Sequence, residues 1–182
     1  MIYQDFFPTP LIAEQVGHRI DNDRLHEKVL NHAQHSESVY FSNVGGEQYH
    51  EFRDRPLFDA IGKAIPQRAD VNQDIFNIYA WININTPGAY NKRHHHIDRH
   101  IIFSGVYYVT APEDSGCLKF YDPRGSMIAE DAALGYFYQQ PTESIKPEAG
   151  MLWLFPSWLE HEVTPNNSTE TRISISFNIS IP

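Results

Sequence analysis

The stretch NKRHHHIDRH places His94, His95, His96, Asp98 and His100 within seven positions, directly before an apolar run. On an extended chain, side chains two residues apart leave the same face. His96 and Asp98 therefore set an imidazole beside a carboxylate, able to take neighbouring positions on one metal ion. His94 and His100 share that parity, so spacing alone leaves the pair open. A basic, solvated loop is the alternative for the whole run. A third ligand must come from further along, and His161 in FPSWLEHEVTPNNSTETRIS is the candidate. With Pro165, Asn166, Asn167 and Ser168 as a turn, the flanking segments form a hairpin that sets His161 directly opposite Arg172. An imidazole and a guanidinium would then face one cavity. Ser174, two residues further on, shares the face of Arg172.

Two histidines and one carboxylate on one face of a metal make the facial triad of non-haem iron(II) oxygenases. Three protein ligands leave positions open for a bidentate 2-oxo acid and for dioxygen. Zinc would also bind such a set, so the ligands do not name the metal. The arginine is the discriminating residue. Its planar, permanently charged fork suits the distal carboxylate of a 2-oxo diacid, and Ser174 can donate a second hydrogen bond. Two other readings compete. A cupin-like isomerase or zinc hydrolase would share the histidines but has no need of Arg172 and Ser174. A binding module without catalysis is the third possibility. No nucleophilic serine or cysteine constellation, P-loop or GxGxxG is present.

Certain elements must hold these residues in place. DNDRLHEKVLNHAQH, from Asp21 to about His35, reads as a helix with Leu25, Val29 and His32 at helical spacing and Asp21 or Asp23 as its cap. A second helix is expected from Pro56 to about Arg68, with Leu57, Ala60, Ile61, Ala64 and Ile65 on one face. Between them, SNVGGEQYHEF reads as a loop or short strand turning on Gly45 and Gly46. After Asp70 the pattern becomes β, with strands expected near 74–85, 101–110, 117–121, 143–147, 151–155, 159–164 and 171–181. Such short strands without intervening helices point to a sandwich, barrel or jelly roll. In RISISFNIS, Ile173, Ile175, Phe177 and Ile179 point one way, and Arg172, Ser174, Ser176 and Asn178 the other. The polar face either lines an internal cavity or meets solvent. Asn83 is expected to face the same cavity or the ladder, and Trp81, Trp153 and Trp158 to be core or rim aromatics.

At 182 residues the chain fits one domain, a helical support over 1–70 and a β core over 71–182. A net charge of -9 argues against a nucleic-acid partner. One cysteine, Cys117, permits no internal disulfide and fits a reducing, cytoplasmic setting. The N-terminus shows no signal peptide, and no segment is apolar enough for a membrane span. An edge strand or apolar helix face leaves a homodimer open.

The segments WININTPGAYN, HHHID, SGVYYV, GCLKFYDPR, AGMLWLFPSWLEHEV and RISISFN resemble the 2-oxoglutarate/iron(II) oxygenase superfamily. More narrowly, they are similar to small oxygenases of bacteria and phages related to the catalytic domain of prolyl 4-hydroxylases. The resemblance runs from about Phe6-Phe7-Pro8 to the end of the chain. It implies a double-stranded β-helix, or jelly roll. It implies iron(II), 2-oxoglutarate and dioxygen as cofactor and co-substrates, and a small-molecule or peptide substrate hydroxylated at a C–H bond. It implies metal ligands at His96, Asp98 and His161, a 2-oxoglutarate arginine at Arg172, and a contribution from Tyr108. The narrower group often carries a histidine-x-histidine pair. Counting back from Ser104 lands on His96 and Asp98, whereas counting forward from Asn91 selects His94 and His96.

Overall fold

A computed structural model describes residues 8–65, 76–98, 100–125 and 142–182. Helix α1 (Asn22–Gln34) starts at Asp21, whose carboxylate accepts the Arg24 amide at 3.0 Å and so satisfies a donor that the first turn leaves free. Leu25 and Val29 are its buried residues. His32 sets a ring nitrogen 2.9 Å from the His50 carbonyl oxygen and packs edge-on to Phe52. Helix α2 (Arg55–Ala64) carries Pro56 in its first turn and buries Leu57, Ala60 and Ile61. The last expected residues of this helix, 66–68, and the first of the expected strand, 74–75, lie outside the described residues.

Asp54 ties the two helices together. It caps α2 through the Leu57 amide at 3.0 Å and accepts from Arg24 at 2.8 Å and Lys28 at 3.0 Å, both on α1. Burial pushes its carboxyl up, but the hydrogen bonds from Arg24, the Leu57 amide and Lys28 outweigh burial and bring it down to about 2. A carboxyl lowered from 3.8 to about 2 stabilises the fold by about 2 kcal/mol. That stability is present in full above pH 3.8 and is lost as the pH falls through about 2. Asp54→Asn is expected to lower the unfolding free energy at pH 7 by about 2 kcal/mol. It should also flatten the acid limb of the stability profile, both measured by urea unfolding at pH 7 and pH 3. Equal stability of the two proteins at pH 7 would remove Asp54 from this role.

In chain order the strands are β1 (Ile12–Gln15), β2 (Asn43–Val44), β3 (Glu47–Phe52), β4 (Asn77–Asn85), β5 (Tyr90–His94) and β6 (Ile101–Thr110). They continue with β7 (Leu118–Tyr121), β8 (Thr142–Ile145), β9 (Met151–Pro156), β10 (His161–Val163) and β11 (Arg172–Ser180). They form two antiparallel sheets, a larger one ordered β1-β9-β6-β11-β4-β3 and a smaller one ordered β2-β5-β10-β7-β8. Among the described residues, the segment before residue 70 thus supplies β1, β2 and β3 to the sheets besides α1 and α2.

Side-chain alternation sorts the larger sheet into two faces. Ile173, Ile175, Phe177 and Ile179 of β11 join Ile82 and Ile84 of β4 and Tyr107 of β6 in the core under the helices. Their neighbours in sequence turn the other way, towards the smaller sheet. Val106 and Tyr108 there pack with Phe120, Phe155 and Leu159. The polar face of β11 therefore lines the space between the sheets and is not an ordinary solvated surface.

The expected hairpin between His161 and Arg172 does not form. His161 lies opposite His94 and Phe120 in the smaller sheet, while Arg172 lies opposite Asn85 in the larger. Buried Asn166 explains the difference. Its amide nitrogen donates to the Asn85 carbonyl at 2.9 Å and the Glu170 carbonyl at 2.7 Å. Its backbone exchanges hydrogen bonds with Gly88 and Ala89. The segment read as a turn is pinned to the β4–β5 connection and carries the chain from one sheet to the other.

Candidate metal and anion site

β5 ends on His94, which pairs directly across the ladder with His161 of β10, so both rings leave one face. His96 follows two residues later, and its amide donates to the Ser157 carbonyl at 2.9 Å. Ser157 is itself fixed by its hydroxyl, which donates to the Ile101 carbonyl at 2.8 Å. Ring centroids are 4.4 Å apart for His94 and His161, 4.9 Å for His94 and His96, and 5.2 Å for His96 and His161. One nitrogen from each ring lies within 4.8 Å of the others, a spacing that fits three ligands of one ion.

Two of the rings are oriented by backbone carbonyls. Nδ1 of His161 lies 2.9 Å from the Leu159 oxygen, and Nδ1 of His94 lies 2.5 Å from the Lys92 oxygen. Nδ1–H donation to a carbonyl leaves Nε2 of each ring as the free lone pair, the usual support of a ligating imidazole. Burial, then the neighbouring histidines, holds His161 down to about 3 and His96 down to about 4. Burial also lowers His94. The cluster is therefore neutral at pH 7, the protonation state that binds metal.

Asp98 stands outside this group. It is exposed, and among the described residues its carboxylate accepts a 3.4 Å bond from the His100 amide. His100 is exposed as well. The parity argument for His96 and Asp98 assumes an extended chain, but the strand stops at His94 and residues 95–98 are irregular. Strand geometry thus extends back to Asn91, and the structure groups His94 with His96 and His161.

Arg172 is 1% exposed. One guanidinium nitrogen donates to the Ser115 carbonyl, while Nη2 is buried without a partner. Burial lowers its pKa, and the facing Tyr108 and Cys117 act in the opposite direction. Among the described residues no carboxylate pairs with it, although an unpaired buried charge is costly. Gly116 shapes its seat. The glycine has φ +87, and a Cβ there would lie 2.9 Å from Nη1 of Arg172. Tyr108 is 1% exposed with an unpartnered hydroxyl, and burial pushes it up to about 12. It stays a neutral donor. Tyr108 and Ser174 line the same cavity as the three histidines.

Asn83 and Asn91 line that cavity and belong to a run of amides that sequence reading detected only at Asn83. Asn83 donates to the Ser176 hydroxyl at 3.0 Å, Asn91 donates to Asn83 at 3.4 Å, and Asn85 donates to Asn91 at 3.3 Å. β4 belongs to the larger sheet and β5 to the smaller, so these bonds join the sheets beside the histidines. The signal was the alternation of asparagine with isoleucine in WININ, legible once β4 is known to face a cavity.

The structure thus combines a jelly roll, three histidines placed to hold one ion, and a buried arginine that meets no carboxylate among the described residues. A family model described as "Putative 2OG-Fe(II) oxygenase" matches residues 79–178, and the chain belongs to that family, which depends on iron(II) and 2-oxoglutarate. No curated protein matches the chain. Among solved structures, the fold is similar to a Pseudomonas putida prolyl-4-hydroxylase (17% identity, TM-score 0.67, covering 96% of this chain and 94% of that one). It is also similar to EvdO2 from Micromonospora carbonacea var. aurantiaca complexed with 2-oxoglutarate (15% identity, TM-score 0.68, covering 96% and 87%). A third is the viral collagen prolyl hydroxylase of Paramecium Bursaria Chlorella virus-1 (14% identity, TM-score 0.60, covering 94% and 96%). At these identities the likeness is one of fold, the double-stranded β-helix. Among the described residues, no helix is long and apolar enough to cross a membrane.

Proposed function

We propose that the chain is a hydroxylase that uses iron(II), 2-oxoglutarate and dioxygen to oxidise a C–H bond of a small-molecule or peptide substrate. The supporting observation is Arg172. A buried guanidinium with an unpartnered Nη2, and with no carboxylate paired to it among the described residues, calls for a carboxylate from outside the chain. His94, His96 and His161 would hold the metal, and Arg172 would anchor the far carboxylate of the 2-oxo acid. Ser174 and Tyr108 offer hydroxyl donors along the same cavity. Cys117, as the only cysteine, supports a reducing compartment such as the cytoplasm.

When bound, iron(II) with 2-oxoglutarate supplies the activation of dioxygen that couples decarboxylation of the 2-oxo acid to oxidation of the substrate. The protein contributes orientation and exclusion of water. Phe155 packs against His161 at 4.7 Å between ring centroids, and Trp81 against His96 at 5.5 Å, so apolar rings border the cluster on two sides. No side chain needs to take a proton from the substrate.

Anaerobic addition of iron(II) and 2-oxoglutarate to the metal-free chain is expected to produce a weak visible charge-transfer band that neither gives alone. Tight zinc binding with no band would instead support a cupin-like metalloprotein of other activity.

A further inference from the structure

An open groove of about 560 Å³ leads away from His94 and His96. Besides those two histidines, aromatic rings from Tyr40, Phe41, His50, Tyr79 and Trp81 line it. Tyr40 is 81% exposed and Phe41 70% exposed. Aromatic surface of this kind left in water marks a contact region. The volume suits a ligand larger than a single amino acid.

A strand irregularity builds the floor. Tyr49 of β3 pairs with Ile82 of β4, and Phe52 pairs with Ala80, so three steps on β3 match two on β4. This one-residue bulge puts both Tyr49 and Phe52 under the helices. Glu51 takes up the extra residue at φ 59, a strained value for a side chain with a Cβ. The bulge leaves Gln48 and His50 facing the groove.

Both present unanswered polar atoms. Gln48 is 3% exposed, and its Oε1 is buried with no partner. Nε2 of His50 is also buried and unpartnered, while Nδ1 lies 2.6 Å from the Tyr79 hydroxyl. With Nδ1 accepting the phenol proton, Nε2 carries the ring hydrogen. The groove thus offers an acceptor and a donor, with the His50 ring stacked on Trp81 at 6.0 Å and 22°. An acceptor beside a donor complements a peptide group, which has one N–H and one C=O.

Charge narrows the occupant further. Although the chain carries a net charge of -9, no aspartate or glutamate lines this groove among the described residues. Lys92 and Arg93 do line it. Arg93 is held by Glu160 and lies over the Tyr121 ring at 3.8 Å, whereas Lys92 stands exposed. A free amino acid would bring an ammonium group to a groove whose charged lining residues, among those described, are Lys92 and Arg93. We propose that the substrate is an acidic peptide segment, lying across the aromatic wall with a peptide group on Gln48 and His50 and a carboxylate near Lys92. This inference rests on the oxygenase reading above.

The test uses the full chain loaded anaerobically with iron(II) and 2-oxoglutarate, immobilised, and offered two end-capped peptide libraries of equal length. One is enriched in aspartate and glutamate, the other in lysine and arginine. The acidic library is expected to be retained preferentially, and free amino acids are expected not to compete. Lys92→Glu should reduce retention of acidic peptides about fivefold, as loss and reversal of one exposed charge allows. Gln48→Met should reduce it about tenfold, as the loss of a buried hydrogen bond allows. Preference for the basic library, competition by free amino acids, or no retention would overturn the proposal. The charge-transfer band is recorded on the same samples. Band present with no peptide retained sinks the peptide proposal alone, and band absent sinks the oxygenase reading.

Discussion

Replacing His94 by alanine is expected to cost the protein its iron, whereas Asp98→Ala leaves iron affinity within about twofold, as for an ordinary exposed side chain. The two residues were equal candidates on spacing. Geometry separates them, because His94 shares one small volume with His96 and His161 while Asp98 faces solvent. Losing a supporting partner of a ligand typically weakens metal binding roughly 10- to 100-fold. Losing one of three ligands should exceed that range. Competition with a chromogenic iron chelator would measure both variants. If Asp98→Ala released iron and His94→Ala retained it, the ligand set would revert to His96, Asp98 and His161.

The second large effect is expected at Arg172. Removing one member of a buried charge pair costs about 2–5 kcal/mol of binding, so Arg172→Met should weaken 2-oxoglutarate affinity by on the order of 100-fold or more. Arg172→Lys should recover only part of this, since it keeps the charge but not the two-pronged fork. Stability is expected to move the other way. In the free protein Arg172 is a buried cation with one carbonyl partner and a vacant Nη2. A methionine of similar length removes that unpaired charge, and substitutions of this sort are often neutral or stabilising. Isothermal titration with 2-oxoglutarate and thermal melting of the metal-free variant would report the two quantities separately. Unchanged 2-oxoglutarate affinity would remove Arg172 from the carboxylate-binding role.

The legible parts of the fold were those where one pattern ran long enough to exclude alternatives. β11 alternates without a break over nine residues, so its two faces were readable, and the structure decided only what the polar face meets. α1 and α2 carried caps and apolar stripes in plain view. β5 was invisible because YNKRH is polar and charged, yet it forms a strand by lying between β2 and β10. Without β5 the extended segment had no fixed end, so spacing offered Asp98 as readily as His94 beside His96, and the structure groups His94 with His96 and His161. The hairpin expectation failed for a similar reason. Pro165 to Ser168 has turn composition, but composition is silent on Asn166 reaching back to Asn85, some eighty residues earlier in the chain. The two tyrosines of the YYV segment are told apart by strand alternation. Either tyrosine of the YYV segment was a possible donor, and alternation sends Tyr107 towards Asn22 at 2.8 Å while Tyr108 enters the cavity.

The alternation of asparagine and isoleucine along β4 also guards against misassembly. A slip of one residue against β11 or β3 would turn Asn83 and Asn85 into the oil beneath the helices and push Ile82 and Ile84 into the polar gap. Each buried amide stranded without a partner would cost about 1–3 kcal/mol, and a side-chain period of two makes every residue of the strand share the error. Neighbouring registers are therefore separated from the native one by several such penalties at once. β4 acts as a key that seats in one position only, and it selects that position through the same amides that give the cavity its polarity.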